Sequence, residues 1–456
     1  MIKMRIYRMR YDMRQSVLIF CLGILMGTAL ESGVKRNPKM TYLENEEIRF
    51  GADLSIGGAI THLSTKKGPN MVNSHDWGRQ IQMSFYSGPQ PFEPNGKKPS
   101  DHWKQLGWNP IQSGDYGGNP SKILEHKNNG KEIYIKCIPM HWPLKNQPGQ
   151  CIFECWYSIK GNVVSVRSKL TNQRDDKKQY RARNQEVPAL YSNGSWYRIV
   201  TYTGNRPYTQ DKTIEISRKP ERPPFPWNRF HATEEWAALV DVNDQGFGVW
   251  TPGAQEYLGG FAGRPGKGGP KDSPTCYVSP LQTEIIDHNI EYTYEYQLIV
   301  GSVDTIRNHV YKERSQKNAF EFTFNKDRQH WSYSNATDTG FPVRNRLDIV
   351  LDKNHPRLNS PLLCLEASSI KTISLKAAFT TDEKQAQLAW SQHGSKIIEK
   401  GDVINFPIKS DGKMRTYNIP VSESDTWKGT ISKIYLKPCK KGGKNKRLRV
   451  ESIKGK

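Results

Sequence analysis

The stretch NSHDWGRQIQMSFYSGP, residues 73–89, sets an amide, an imidazole, a carboxylate, an indole and a guanidinium side by side. If residues 73–80 form a strand, His75, Trp77 and Arg79 point to one face and Asp76 to the other, because side chains alternate along a strand. Arg79 can bind a carboxylate or a sulfate through two parallel hydrogen bonds. Trp77 offers a flat apolar plane that can stack on a sugar ring. The alternative is a core tryptophan beside a solvated arginine.

The amino-terminal region has the layout of an export signal. A basic segment precedes the apolar run SVLIFCLGILMGTAL at residues 16–30. This run is shorter than the roughly 20 residues of a membrane-spanning helix and is typical of a secretory signal peptide. We therefore predict a signal peptide over residues 1–30, an exposed leader over residues 31–45, and a protein secreted to the extracellular space or the periplasm. An uncleaved membrane anchor is the alternative, but no stable membrane insertion is expected after removal of the signal.

The chain is strongly basic, with a formal net charge of +22. A cationic exported protein suggests a polyanionic partner, and we expect an acidic or sulfated polysaccharide. Nucleic acid is not expected, because the sequence has no recognised nucleic-acid motif. Neither zinc-type cysteine spacing nor a calcium loop is present, so no metal and no cofactor is predicted. Export permits disulfides, and Cys137 can pair with Cys151 or Cys155 on the next predicted strand. The sequence leaves the oligomeric state open.

Apolar residues at every second position fill much of residues 46–315 and predict antiparallel strands. The stretch 87–120, rich in proline, glycine, asparagine and tryptophan, has the length of a lid or binding loop. A predicted helix at residues 303–314 ends this unit, and we place the domain boundary near residues 315–321. Short strands separated by turns over residues 320–456 predict a smaller β-sandwich or jelly roll.

Three segments are dense in functional groups: Asn73–Gln80, Arg183–Tyr191 and Glu234–Trp250. With these segments, residues 45–315 resemble the galactose mutarotase-like β-supersandwich class. That class includes sugar epimerases and β-sandwich domains of several polysaccharide lyases and glycoside hydrolases. The resemblance implies an all-β, antiparallel supersandwich and a carbohydrate-active enzyme.

The C-terminal unit resembles the galactose-binding-like jelly-roll modules that are appended to polysaccharide-degrading enzymes. The residues that carry this resemblance are Trp331–Tyr333, Ala386–Trp390, Arg415–Tyr417 and Trp427–Gly429. The resemblance implies that residues 320–456 are a carbohydrate-binding-like β-sandwich behind a catalytic supersandwich at residues 46–315.

Cleavage of a glycosidic bond by hydrolysis requires two carboxyl groups. Glu186, next to an apolar run, is the carboxylate that we predict to be buried. Glu234 and Glu235 are neighbours on a predicted strand, residues 231–240, so only one of them can face a cleft. The predicted catalytic residues are Glu186, Asp76, Glu235 and His75. The predicted substrate-binding residues are Asn73, Trp77, Arg79, Trp103, Trp108, Tyr191, Tyr202 and His231.

Three functions fit these residues. Hydrolysis is narrowly favoured, because carboxylates recur in all three dense segments. Elimination by a polysaccharide lyase needs a group that neutralises the uronate, a base and an acid, for which Arg79, His231 and Tyr191 are examples. A non-catalytic binding protein needs only the aromatic and arginine side chains.

Overall fold

The computed structural model describes residues 37–221, 226–314, 320–395, 398–399 and 401–456. The predicted signal peptide and the first part of the predicted leader, residues 31–36, lie outside this range. The chain is nearly all β, and its antiparallel sheets confirm the fold class predicted from the sequence. Among the described helices, none is both long and apolar enough to cross a membrane. The described residues also hold no group of three His, Cys, Asp or Glu side chains placed to bind a metal ion.

The first unit runs to the end of its helix. Its strands are β1 (Met40–Glu44), β2 (Ile48–Asp53), β3 (Ala59–Thr65), β4 (Gln82–Ser84), β5 (Pro110–Ile111), β6 (Lys122–Asn128), β7 (Glu132–Ile138), β8 (Met140–His141), β9 (Cys151–Lys160), β10 (Val163–Asn172), β11 (Arg183–Asn193), β12 (Arg198–Thr201), β13 (Ile214–Glu215), β14 (Asn228–His231), β15 (Trp236–Val240), β16 (Gln245–Trp250), β17 (Glu256–Ala262), β18 (Thr275–Glu284) and β19 (Glu291–Ser302). The helix α1 (Val303–Glu313) follows, as predicted. Two short 3-10 turns are Leu54–Ile56 and Pro94–Gly96.

Two large sheets pack face to face in this unit. One has nine strands in the order β13-β12-β15-β16-β19-β10-β9-β7-β6, and the other has seven in the order β14-β17-β18-β11-β4-β5-β8. Their facing sides enclose one core. The alternation predicted for β9 is confirmed, since Cys151, Phe153, Cys155 and Tyr157 are all buried. Burial of one apolar face of each sheet is the main force that holds the two sheets together.

The predicted exposed leader is wrong where it reaches residue 40. Strand β1 pairs with β2, and Thr41 and Leu43 on one face of β1 are buried. The segment MTYLE alternates in the manner of an edge strand, and pairing satisfies its backbone groups. The possible bridge between Cys137 and Cys151 or Cys155 is not formed either, because the cysteines within the described ranges are free thiols.

The second unit is a smaller β-sandwich with its own core. Its strands are β20 (Glu321–Thr323), β21 (Ser332–Ser334), β22 (Thr337–Asp338), β23 (Leu347–Val350), β24 (Arg357–Asn359), β25 (Leu365–Glu366), β26 (Ile373–Thr380), β27 (Gln385–Gln392), β28 (Val403–Pro407), β29 (Arg415–Ile419), β30 (Thr430–Lys437) and β31 (Arg447–Gly455), with 3-10 turns at Ala367–Ser369 and Val421–Glu423. One sheet has the order β22-β23-β31-β26-β29, with β20 beside β31. The other has the order β21-β24-β30-β27-β28, with β25 beside β30.

Candidate functional site

Residues 73–80 do not form the predicted strand. The chain bends through them, and β4 begins only at Gln82. Asn73 Nδ2 donates to two backbone carbonyls of the loop 270–274, at 3.0 and 3.2 Å. Arg79 donates to a third carbonyl of this loop at 2.5 Å, and the His75 ring contacts a fourth at 2.7 Å. These side chains satisfy backbone groups that no sheet partner reaches, so the segment anchors the connection between β17 and β18.

Within this segment the charged groups also bind each other. Arg79 Nε lies 3.0 Å from Asp76 Oδ2, and Arg79 is 5 % exposed. The predicted role of Asn73 and Arg79 in substrate contact is therefore replaced by a role in holding a loop. His75 is exposed and Asp76 is partly exposed, so both can be reached from solvent, but neither is on a strand of the sheet.

Residues 106–115 of the stretch 87–120 are buried, whereas residues 91–105 are exposed or partly exposed. Strand β5 within it pairs with β4 and β8. Trp108 is fully buried in the main core and has no face to offer a sugar. Tyr202 directly follows β12, at the nine-stranded sheet, and is buried, with its hydroxyl 3.3 Å from Asp211 Oδ2. The predicted substrate contacts of Trp108 and Tyr202 are therefore contradicted.

Residues 231–240 are not one strand, because a turn separates β14 from β15. Glu234 in this turn is fully buried, and its carboxylate binds Arg307 Nη2 at 2.8 Å and the Tyr311 hydroxyl at 2.6 Å. Glu235 has a left-handed backbone with φ 66°, and its Oε2 accepts from the Gly253 amide at 3.0 Å. The two glutamates lie in this turn and not on a strand, and Glu235 is the partly exposed one of the two.

A row of functional side chains crosses the outer face of the seven-stranded sheet. Glu186 of β11 lies directly opposite Leu281 of β18. Leu281 is opposite Glu256 of β17, and Glu256 is opposite His231 of β14. Residues directly opposite in antiparallel strands project from the same face. Glu186, Glu256 and His231 therefore share one side of the sheet, and we call these three residues the carboxylate row.

A β-bulge in β11 shapes this face. The register of β11 with β18 shifts between Glu186 and Leu190. Val187 and Leu190 enter the main core, whereas Tyr191 belongs to a separate cluster on the outer side. In a regular strand Glu186 and Tyr191, five positions apart, would point to opposite faces. The extra residue of the bulge brings both to the same face, and bulges often re-aim side chains in this way near functional sites.

Three aromatic rings pack against each other on the same face of the sheet as Glu186. The ring centroid of Tyr277 lies 4.6 Å from that of Tyr191 and 5.0 Å from that of Trp227. All three side chains are nearly fully buried. The indole nitrogen of Trp227 is buried and has no hydrogen-bond partner in the described part of the chain.

Partly exposed aromatic side chains lie at the other end of the same face: Trp77, Trp103 and Tyr116. They pack on a buried group that includes Ile111. Ile111 is directly opposite Ser84, which is directly opposite Glu186. The structure therefore brings two predicted contacts, Trp77 and Trp103, to the face that carries Glu186.

The opposite end of the face is polar. Arg229 of β14 forms an ion pair with Glu256. The Nε2 atom of His231 lies 2.9 Å from Oε1 of Gln255. Burial, together with the nearby ring of His393, lowers the pKa of His231 to about 4, and the bond to Gln255 opposes this shift only in part. His231 is therefore a neutral imidazole at neutral pH.

Several residues of this face were missed from the sequence: Arg229, Glu256, Trp227 and Tyr277. The alternation in NRFH (228–231) and EYLGG (256–260) is a signal that was available for Arg229 and Glu256. No comparable signal marks the rings, because buried aromatic residues in strands are most often core residues.

No family model matches the sequence, and no curated protein matches it. Similar solved structures include a galactose mutarotase related enzyme from Lactobacillus acidophilus, at 11% identity over 58% of this chain and 98% of that chain, with a TM-score of 0.39. The 4-alpha-glucanotransferase of Thermococcus litoralis is similar at 11% identity over 59% of this chain and 40% of that chain, with a TM-score of 0.32. A low affinity xylan binding module from Roseburia intestinalis is similar over 30% of this chain and 94% of that chain, at 11% identity and a TM-score of 0.21. At these identities and scores, the similarities assign neither a substrate nor a reaction.

Proposed function

We propose that the protein cleaves glycosidic bonds in an acidic or sulfated polysaccharide on the outer face of the seven-stranded sheet. The observation that carries this proposal is the carboxylate row, which places Glu186 and Glu256 on one face. Aromatic rings flank the row on the Trp77 side and line the sheet beside Glu186. Aromatic surfaces with a few convergent polar groups are typical of ligand sites.

Hydrolysis uses the two carboxylates of the row. Glu186 and Glu256 are two strands apart, so their backbone positions are separated by about 10 Å, twice the usual strand spacing. Inverting glycosidases hold their two carboxyl groups about 6.5–9.5 Å apart, with room for a water molecule. Glu186 is 1 % exposed, so the sugar chain has to displace the side chains that cover it before its carboxyl group can donate a proton to the leaving oxygen. Glu256 then activates the water, and the ion pair with Arg229 holds the Glu256 carboxylate in place.

Elimination at a uronic acid is the second candidate, favoured by the polar end of the face. The imidazole of His231, on this face, is the candidate base. Arg229, on the same strand and face, can neutralise the carboxylate of the sugar, which makes the neighbouring C–H bond more acidic. Both reactions place the sugar chain along the same row.

The first prediction concerns Glu186→Gln. The variant should lose at least about 100-fold in cleavage rate, because an amide cannot exchange a proton with the leaving group. It should keep its melting temperature and its affinity for the polysaccharide. The assay follows reducing ends and the absorbance of unsaturated uronates with a panel of acidic polysaccharides. Reducing ends alone indicate hydrolysis, and both signals together indicate elimination.

The matched control is Glu295→Gln. Glu295 is an exposed glutamate on β19 of the nine-stranded sheet, and its loss should leave cleavage unchanged. Full activity of Glu186→Gln would remove Glu186 from the mechanism. Binding of a polysaccharide without any cleavage by the unmodified protein would show a binding protein instead of an enzyme.

A further inference from the structure

Basic side chains from both sandwiches meet at the polar end of the carboxylate row. Arg229 comes from β14 of the first unit and is exposed. Lys433 comes from β30 and Arg357 from β24 of the second unit, and both are partly buried. We call these three residues the cationic cluster.

The register of β30 points Lys433 outward from the second sandwich. Ile434 and Leu436 are fully buried in the core of that sandwich. Side chains alternate along a strand, so Lys433 and Tyr435 project from the opposite face. The guanidinium carbon of Arg357 lies 5.0 Å from the ring centroid of Tyr435, which fixes Arg357 on that same face.

Two contacts show that the start of β30 and the end of β27 lie against the first unit. Thr430, at the start of β30, donates through Oγ1 to the backbone carbonyl of Asn205 at 3.4 Å. The ring of His393, just beyond β27, lies 5.1 Å from the ring of His231. The start of β30 is therefore next to the His231 end of the carboxylate row.

Only one of the three cations of the cluster, Arg229, has a carboxylate partner among the described residues, which is Glu256. No carboxylate of the described residues forms an ion pair with Lys433 or Arg357, and the Arg357 Nε is buried without a hydrogen-bond partner. Burial, followed by repulsion from Arg357 and Arg229, lowers the pKa of Lys433 to about 8. Like charges held together in a partly buried place are unfavourable, and a bound anion removes this cost.

We propose that Lys433, Arg357 and Arg229 form a subsite for a carboxylate or sulfate group of the polysaccharide. The subsite rests on the proposed function for the identity of the sugar chain. It also assigns a role to the C-terminal sandwich, which completes the substrate cleft with its own side chains and is not only a separate binding module. Guanidinium groups bind two oxygens of a carboxylate or a sulfate through paired hydrogen bonds, and the lysine adds a point charge.

The test measures binding of sodium sulfate and sodium glucuronate to the full chain by calorimetry and by the shift in melting temperature. Both Lys433→Gln and Arg357→Gln should weaken the affinity for the better of the two anions about tenfold, the loss of one charge-assisted hydrogen bond. Lys433→Arg should restore most of the affinity. Tighter binding of sulfate would indicate a sulfated polysaccharide, and tighter binding of glucuronate would indicate a polysaccharide that contains uronic acid.

The matched control is Lys444→Gln, which removes the same charge from the exposed, basic stretch that precedes β31. It should bind both anions like the unmodified protein. In the absence of anion, Lys433→Gln should keep or raise the melting temperature, because it removes a repelled charge. The proposal is overturned if neither anion binds the unmodified protein, or if all variants bind equally well.

Glu186→Gln separates the subsite from the proposed function. This variant should bind the anions normally, because Glu186 is not in the cationic cluster. Lost anion binding in Lys433→Gln together with full cleavage by Glu186→Gln would keep the subsite and reject the proposed mechanism. Abolished cleavage in Glu186→Gln with unchanged anion binding in Lys433→Gln would reject the subsite alone.

Discussion

The two sandwiches contact each other at two clusters of charged side chains. We call the cluster around Arg328 the first junction, and the other is the cationic cluster. At one, the side chain of Arg328 of the second unit is 1 % exposed, and its guanidinium lies 2.6 Å from Asp287, 2.6 Å from Asp338 and 3.7 Å from Glu284. At the other, the cationic cluster, Lys433 has no ion-pair partner in the described residues. In the first junction carboxylates of the chain pair with Arg328, whereas in the cationic cluster no carboxylate of the described residues pairs with Lys433. Pairing thus distinguishes a structural junction from a place suited to a ligand.

Hydrogen bonds complete the first junction. Gln179 of the first unit donates to Asp338 at 2.7 Å, and the Tyr333 hydroxyl donates to the same carboxylate at 3.0 Å. Burial raises the pKa of Asp338, but the hydrogen bond and charge of Arg328, with the hydrogen bond from Gln179, outweigh burial and hold the pKa below its ordinary value. Buried charges are tolerated when they are paired and hydrogen-bonded in this way.

The largest effect is expected from Arg328→Met. It leaves the carboxylates of the first junction buried without their cation, and breaking a buried pair of this kind costs about 3–5 kcal/mol in the free energy of unfolding. Denaturant unfolding of the full chain measures this loss in the free energy of unfolding. The control is Arg415→Met, which removes a partly exposed arginine paired with Asp411 and should leave the transition nearly unchanged. Equal transitions for both variants would mean that the first junction is not a structural ion pair.

The fold was predictable because its strands follow a repeating pattern. Cys151, Phe153, Cys155 and Tyr157 alternate in the sequence and are buried in the structure. Pattern reasoning failed where a side chain replaces a sheet partner. Asn73 and Arg79 look like strand residues in an alternating stretch, but they bind carbonyls of a loop about 200 residues away, and nothing local indicates that partner.

The candidate site was only partly predictable for a related reason. Glu186 was identified from its apolar neighbours, but the bulge that aligns it with Tyr191 is a property of pairing with β18. Lys433 joins the face from another sandwich, so only the packing of the two units brings it near Arg229. A sequence shows which residues alternate, and it does not show which faces meet.

A smaller effect is expected at the first junction, where the free energy of unfolding should depend on pH. Burial raises the pKa of Glu284 to about 8, and the charge of Arg328 opposes this only in part. The folded protein therefore holds a proton that the unfolded chain releases near pH 4.5, so this contribution to stability is complete below about pH 4.5 and is lost as pH rises through 8. The other charged or titratable groups around it are Arg328, Asp287, Asp327, His330 and Tyr292.

The variant that isolates this group is Glu284→Gln. It should flatten the decrease in unfolding free energy between pH 5 and 8, a decrease of at most about 1.4 kcal/mol per pH unit for one proton. The amide oxygen can still accept from the Ile285 amide, now 2.8 Å from Glu284 Oε1. Urea unfolding at a series of pH values measures the slope. An unchanged slope in the variant would assign the pH dependence to another group.

The smallest effect is expected at the cationic cluster, where pH should alter binding and not folding. As pH rises through about 8, Lys433 loses its proton, and the affinity for sulfate should fall by less than about tenfold between pH 7 and 9. The other charged or titratable groups around the cluster are Glu256, which pairs with Arg229, Lys437, which interacts with Arg357, and the contacting rings of His231 and His393. Lys433→Arg should abolish the decrease, because a guanidinium stays protonated in this range. Calorimetric titrations at pH 7, 8 and 9 compare the two proteins. If Lys433→Arg shows the same decrease, Lys433 does not supply the titrating charge, and the contrast between the first junction and the cationic cluster would then rest on Arg357 and Arg229 alone.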